Sequence, residues 1–217
     1  MRVAALYDVH GNLPALEAVL AEIDAELIVV GGDVVGGAFP AETVERLRGL
    51  GERARWIRGN AERELVEPPG QLERLQDDLT DEQIDFLYAL PERVEVDVEG
   101  VGNVLFCHAT PASDLDLVTP LTSEERLAAI LAGVRADVVV AGHTHMQDDR
   151  RAPGVRWLNA GSVGMPYEDL PGAYWALLGP DVELRRTEYD ATGLGGYEYP
   201  EASRLGASEY FESLVRD

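Results

Sequence analysis

Arg2-Val3-Ala4-Ala5-Leu6-Tyr7-Asp8-Val9-His10-Gly11-Asn12-Leu13-Pro14 opens the chain, and its reading decides the fold. A short apolar run that ends in an acid suits a buried strand. The segment after it places Leu13, Leu16, Val19, Leu20 and Ile23 at a helical spacing, with Asn12 positioned as its cap and Pro14 in its first turn. The same alternation recurs further on. Leu27 to Val30 is rich in β-branched residues and runs into Gly31-Gly32-Asp33. Ala41 to Leu50 reads as a helix, with Glu42 and Arg46 as an i,i+4 pair. Ala54 to Ile57 reads as a third strand, followed by Arg58-Gly59-Asn60. A β-α-β-α-β order predicts a layered α/β fold whose sheet is largely parallel at this end.

Beyond it, residues 64–91 are polar and helical, a small excursion broken at Pro68-Pro69-Gly70. Val94 to Val98 and Val104 to Phe106 read as a hairpin turning through Gly100-Val101-Gly102-Asn103. Ser123 to Leu131 is a helix that Ser123 or Thr122 can cap. Asp137 to Ala141 is a continuous apolar strand leading into Gly142-His143-Thr144-His145. Val155 to Leu158, Tyr174 to Leu178 and Val182 to Arg186 are expected to be antiparallel strands, with a turn at Gly179-Pro180-Asp181. From Gly193 a Gly-rich stretch leads to an acidic amphipathic tail, Glu201 to Val215, suited to packing back or to self-association as a homo-oligomer.

The 217 residues are expected to form one domain, 1–217. With 46% hydrophobic residues the chain is too apolar for disorder. It lacks any apolar run of the roughly 18 residues a membrane span needs, and Met1-Arg2 leads straight into a strand-like run instead of a signal peptide, so the expected location is the cytoplasm, away from membranes. The single cysteine, Cys107, excludes an internal disulfide framework and reads as a small buried hydrophobe. A formal charge of -22 argues against long nucleic acids as partners unless bound cations or a local basic patch intervene. All 18 basic residues are arginine.

The chain has 4 histidines, and each directly follows a predicted strand: His10, His108, and the pair His143 and His145. Asp33 and Asn60 occupy equivalent strand ends, and Asp8 shares the first with His10. Residues at the C-terminal ends of parallel strands converge on one crevice. Together Asp8, His10, Asp33, Asn60, His108, His143 and His145 offer mixed oxygen and nitrogen donors, too many for one tetrahedral zinc. The set fits two divalent cations sharing a carboxylate; Mn, Fe, Zn, Co and Ni are all compatible and ligand type alone does not choose among them, Mn being the expectation.

Taken in order, Asp8-x-His10, Gly32-Asp33, Gly59-Asn60, His108 and Gly142-His143-x-His145 resemble the motifs of the calcineurin-like metallophosphoesterase superfamily. Asn159-Ala160-Gly161-Ser162-Val163-Gly164 is similar to a later loop of its small bacterial and archaeal members. The resemblance implies a four-layer α/β/β/α sandwich of two mixed sheets. It implies one metal held by Asp8, His10, Asp33 and His145 and another by Asp33, Asn60, His108 and His143, with Asp33 bridging. It also implies phosphoester hydrolysis by a hydroxide shared between the metals, whose water such a pair acidifies. Asn60 and His108 are then expected to contact substrate as well, and Gly161 and Ser162 to approach the phosphate through backbone amides.

One position departs from the family. Many members have Gly-Asn-His followed by an acid, and that histidine is thought to protonate the leaving group. Here the run is Gly59-Asn60-Ala61-Glu62, and Ala61 has no proton to give. The resemblance therefore shifts to the small phosphodiesterase-like branch, with a phosphoester small molecule or nucleotide as substrate. Glu62 is expected to be a solvated helix-start carboxylate and Arg63 to make a surface salt bridge. Trp157, Tyr174 and Trp175 read as packing residues, and Pro166 and Tyr167 as shaping substrate entry. The competing readings are a nucleotide-polyphosphate hydrolase, a protein-phosphatase-like hydrolase, and a non-catalytic scaffold of the same fold.

Overall fold

Successive side chains of a strand point to opposite faces, so a strand that is apolar throughout needs cover on both sides. The computed structural model, which describes residues 1–67, 78–192, 194 and 203–215, shows how that cover is supplied. One sheet runs in the order β10-β9-β1-β2-β3, where β1 is Val3–Leu6, β2 Leu27–Val30, β3 Ala54–Trp56, β9 Ala173–Leu178 and β10 Val182–Thr187. The other runs β4-β5-β6-β8-β7, where β4 is Arg93–Val98, β5 Gly102–Cys107, β6 Val138–Ala141, β7 Gln147–Ala152 and β8 Val155–Ala160. In β1, Val3 and Ala5 face the second sheet, whose Val138 and Val140 in β6 meet them, together with Tyr7, Val29, Phe106 and Leu158. Ala4 and Leu6 face outward onto the helices α1 (Leu13–Glu22) and α2 (Pro40–Arg48). On the far side, Val139, Ala141 and Trp157 pack against Leu127 of α5 (Glu124–Ile130). Three apolar layers thus separate four structural ones, the α/β/β/α sandwich.

The expected elements form, with four differences. The first is β7, which a sequence reading misses because Gln147-Asp148-Asp149-Arg150-Arg151-Ala152 is charged; it lies at a sheet edge, where charge blunts further pairing. The second is the direction of Val155 to Leu158: β8 is antiparallel to β7 but parallel to β6. In the third, Arg46 does not pair with Glu42. Its guanidinium reaches Glu17 of α1 through two bonds, at 2.7 and 3.2 Å, a bidentate geometry that outcompetes a single i,i+4 contact. The fourth concerns the excursion, in which α3 (Asn60–Glu64) begins at the site itself and α4 (Asp81–Tyr88) follows. Pro68-Pro69-Gly70 and the Gly-rich stretch at 193 and 195–202 lie outside the described residues. The tail helix, α6, spans Arg204–Val215, and among the described residues no helix is long and apolar enough to cross a membrane.

Tyr7 ties the two sheets together. Its ring is fully buried between them, and its hydroxyl donates to the Val140 carbonyl of β6 at 2.9 Å. Removing that hydroxyl with Tyr7→Phe should lower unfolding free energy by about 1–2 kcal/mol, read by urea denaturation, with little change in the urea dependence.

Candidate metal centre

All six parallel strands end at the same rim, and each delivers residues to it. Asp8 and His10 follow β1, Asp33 follows β2, Asn60 follows β3, His108 follows β5, His143 and His145 follow β6, and Gly161 and Ser162 follow β8. The loops that meet at this rim are stitched to each other, within each sheet and once between the two. His10 N donates to Asp33 O, Gly142 N to His108 O, and Gly164 N to Asp8 O.

The backbone is bent to aim these side chains. Among the described residues, the non-glycine residues with positive φ are Asp8, His10, Asp33, His143 and His145, at 45–64°. Each is a candidate ligand. A left-handed conformation costs an L-residue roughly 1–2 kcal/mol, and such strain collects where surrounding structure enforces it, commonly at functional sites. Two glycines make room. A Cβ on Gly59 would lie 2.2 Å from Asp33 Oδ1, and one on Gly142 2.4 Å from Asp8 Oδ2.

Two groups of candidate ligands result, Asp8 with His10 and His145, and Asp33 with His108 and His143, each with its ligand atoms within 4.8 Å of one another. Asp33 faces both groups. Its Oδ1 lies 3.4 Å from His108 Nε2 and its Oδ2 3.9 Å from His10 Nε2. Asn60 Oδ1 lies 3.1 Å from His108 Nε2.

Three histidines are held by the ring nitrogen away from the centre. His10 Nδ1 lies 3.1 Å from Val35 O, His108 Nδ1 2.9 Å from Gly31 O, and His145 Nδ1 2.6 Å from Met165 O. A carbonyl only accepts, so each Nδ1 carries a proton and each ring turns Nε2 inward, a nitrogen that bears a lone pair whenever the ring is neutral. His10 Nε2 and His145 Nε2 then face each other at 3.1 Å, acceptor to acceptor. Asp8 Oδ1 and His143 Nε2 are buried with no hydrogen-bond partner. This donor set asks for cations and fits divalent metals.

The electrostatics say the same. Burial works against the charge on Asp33 and Asp8, yet the neighbouring imidazoles outweigh it and hold both carboxyls below their ordinary range, His108 acting on Asp33 and His145 on Asp8. Burial also opposes charge on His108, but Asp33 beside it pushes that imidazole up to about 10. Burial, followed by the charge on His108, brings His143 down to about 4. Burial and His145 together lower His10.

One sequence expectation is corrected here. Glu62 is not solvated: it is fully buried and accepts from the backbone amides of Asp33, Val34 and Gly59 at 2.7–2.9 Å. Burial, reinforced by Asp33, raises its pKa, while the three amides oppose the rise. The signal for this role was its place three residues after Gly59, where a helix-start acid bonds back to the preceding turn. Gly161 and Ser162 stand where β8 ends, at the same rim. Ser162 is fully buried, its hydroxyl donating to Asp8 O and accepting from Met165 N at 2.7 Å each, while Gly161 N donates to Asn159 Oδ1. Arg63 makes the expected salt bridge, to Asp114 at 2.7 Å. Cys107, Trp157, Tyr174 and Trp175 are buried. Tyr167 stacks on His145 with ring centroids 5.1 Å apart, and Phe211 of α6 meets its edge at 5.8 Å.

The sequence pattern of the calcineurin-like phosphoesterase superfamily domain matches residues 1–179. The chain belongs to that superfamily. The chain is 28% identical over 220 residues to an uncharacterized protein of Methanocaldococcus jannaschii, covering 87% of this chain and 88% of the relative. Among solved structures it resembles a metallophosphoesterase from Sphaerobacter thermophilus, with a TM-score of 0.76, 26% identity and 91% and 92% of the two chains covered. A hypothetical protein from Pyrococcus horikoshii shares the fold at a TM-score of 0.77 and 20% identity, covering 99% of this chain and 92% of that one.

Because Glu62 holds three buried amides, turning one of its acceptor oxygens into a donor should be costly. Glu62→Gln is expected to lose about 2 kcal/mol of unfolding free energy, measured by denaturant titration of the metal-stripped protein.

Proposed function

We propose that this phosphoesterase is a binuclear, metal-dependent enzyme that hydrolyses phosphodiesters, nucleotides among them, with manganese as its preferred metal and the cytoplasm as its location. Asp8, His10, Asp33 and His145 would hold one cation, and Asp33, Asn60, His108 and His143 the other. The observation that carries the reading is the pair of opposed lone pairs on His10 and His145, beside the unpartnered Asp8 Oδ1 and His143 Nε2. Two divalent cations there would bind phosphoryl oxygens and bring the pKa of a shared water toward neutrality.

The chain's own residues prepare that chemistry. Asp33 presents one oxygen to each group, and the Ala61 amide bonds its Oδ1 at 2.8 Å, so the carboxylate is fixed before any ligand arrives. The Nδ1 bonds to Val35, Gly31 and Met165 fix three rings with Nε2 toward the centre. Ala61, 2% exposed, puts a methyl group where many relatives carry a proton donor. That favours esters whose leaving group departs without one, aryl and activated diesters before phosphoserine-like monoesters.

Metal-stripped protein supplied with Mn, Co, Ni, Zn or Mg should recover hydrolysis of bis-p-nitrophenyl phosphate and exceed its rate on p-nitrophenyl phosphate. Asp33→Asn and His108→Ala should each lower kcat/KM on the diester by about 100-fold or more. No turnover with any metal, despite two metals bound per chain, would overturn the proposal. A second expectation concerns pH. A metal must displace the proton that His108 retains up to about pH 10, whereas the low values of His10 and His143 leave them neutral already. Apparent affinity, read by competition with a chelator, should therefore rise about tenfold per unit between pH 7 and 9.

A further inference from the structure

Beside the second cluster lies a cleft of about 220 Å³ whose lining includes His108, Arg58, Arg63 and Arg93. It gathers three guanidinium groups in a chain of formal charge -22. Two acids, Glu92 and Asp114, line it as well, and Glu64 and Glu67 stand 3.9 and 3.8 Å from Arg63, so what the cleft can offer an anion rests on Arg58 and Arg93. Their placement follows from the ligands. Arg58 and Arg63 flank Asn60 in sequence, and the β4–β5 ladder sets Arg93 opposite Cys107, the residue before His108.

The three are not equally committed. Arg63 is locked by Asp114 through Nε and Nη2. Arg58 donates to Tyr88 O and to Glu92, whose side chain is 78% exposed. Arg93 donates one bond, to Pro111 O at 3.0 Å, and no carboxylate among the described residues lies within ion-pair distance of it. A guanidinium has five N–H donors in a planar fork that matches phosphate oxygens. Most of Arg93's fork and part of Arg58's are open to a ligand.

We infer that this cleft is a subsite for a non-scissile phosphoryl group, so that the substrate class is a phosphoanhydride-linked nucleotide: one phosphorus at the metal centre, its neighbour between Arg58 and Arg93. The inference rests on the phosphoesterase reading above. A separate feature agrees with it. Ala61 supplies no proton, and a phosphoanhydride needs none, since a phosphate or diphosphate leaves as a weakly basic anion. In a dinucleoside triphosphate the attacked phosphorus still carries two substituents, as in a diester. Water's oxygen bonds to it, the bond to the bridging oxygen breaks, and nucleoside monophosphate and diphosphate result, with the water protons going to solvent and product oxygens.

The test compares wild type with Arg58→Gln, Arg93→Gln and Arg93→Lys. With Mn-loaded protein, the ratio of kcat/KM for a dinucleoside triphosphate to that for bis-p-nitrophenyl phosphate should fall at least tenfold in both Gln variants, through KM, and recover in part with Lys. In parallel, metal-stripped protein at low ionic strength is titrated with inorganic pyrophosphate, with malonate as the dicarboxylate counterpart. Pyrophosphate should bind, more tightly than malonate, and each Gln variant should weaken it about tenfold. An unchanged ratio together with unchanged pyrophosphate affinity overturns the subsite even if diester hydrolysis stands. Malonate binding as well as pyrophosphate also overturns the phosphoryl assignment. Pyrophosphate binding that depends on Arg93, in a protein that hydrolyses neither substrate, sustains the subsite and removes the phosphoesterase reading instead.

Discussion

Asp8 is fully buried and Asp33 nearly so at the seam between the two sheets, and the cost of holding two carboxylates there governs the architecture around them. An isolated buried charge is prohibitively expensive, so it must be paired, hydrogen-bonded or neutralised. Here all three happen together. Imidazoles surround both groups, backbone amides of His143 and Ala61 bond one oxygen of each, and the remaining oxygen of Asp8 waits for a cation. The histidines could relieve one another only by taking up protons, and burial resists that for His10 and His143. A site that is under-neutralised by its own side chains has a built-in affinity for external positive charge.

Such a cluster has to be assembled from five separate strand ends, and the backbone accepts strain to do it. Five candidate ligands in the left-handed region would be unstable on free loops. Here they are fixed by cross-loop bonds, of which the three amides on Glu62 are the densest set. Glu62 therefore connects the loop after β2 to the turn after β3 without touching either cluster's inner face. Ser162 does the equivalent for the loop after β1. The centre owes its geometry to buried polar groups that are not ligands.

Much of this was readable in the chain. Buried parallel strands are short apolar runs, and Leu27–Val30 coincides with the residues expected. Asn12 caps α1 as its position predicts, its Oδ1 accepting from Ala15 N at 3.2 Å. The ligand candidates were legible because strand ends are local features and four histidines at three such places leave little ambiguity. What escaped notice was set by tertiary contacts. The burial of Glu62 depends on the β2 loop folding over it, and the hydroxyl of Ser162 is claimed by a residue 154 positions away. Arg46 had a local partner and took a distant one with better geometry. The strand β7 carries a composition that only makes sense once it is known to sit at an edge.

The place of β1 in its sheet has a consequence for how the molecule is made. It precedes the other described strands along the chain, yet it lies in the middle, parallel to β2 on one side and antiparallel to β9 on the other, with Val3 opposite Leu178. Until β9 exists, one edge of that buried apolar strand has no neighbour and is a template for wrong pairing. Long-range pairing of this kind slows folding and lengthens the exposed interval. The loop carrying Asp8 receives its bonds from Ser162 and Gly164 over the same span. On the ribosome, then, the centre cannot preform around its first ligands; its completion reports that nearly 180 residues have already found their register.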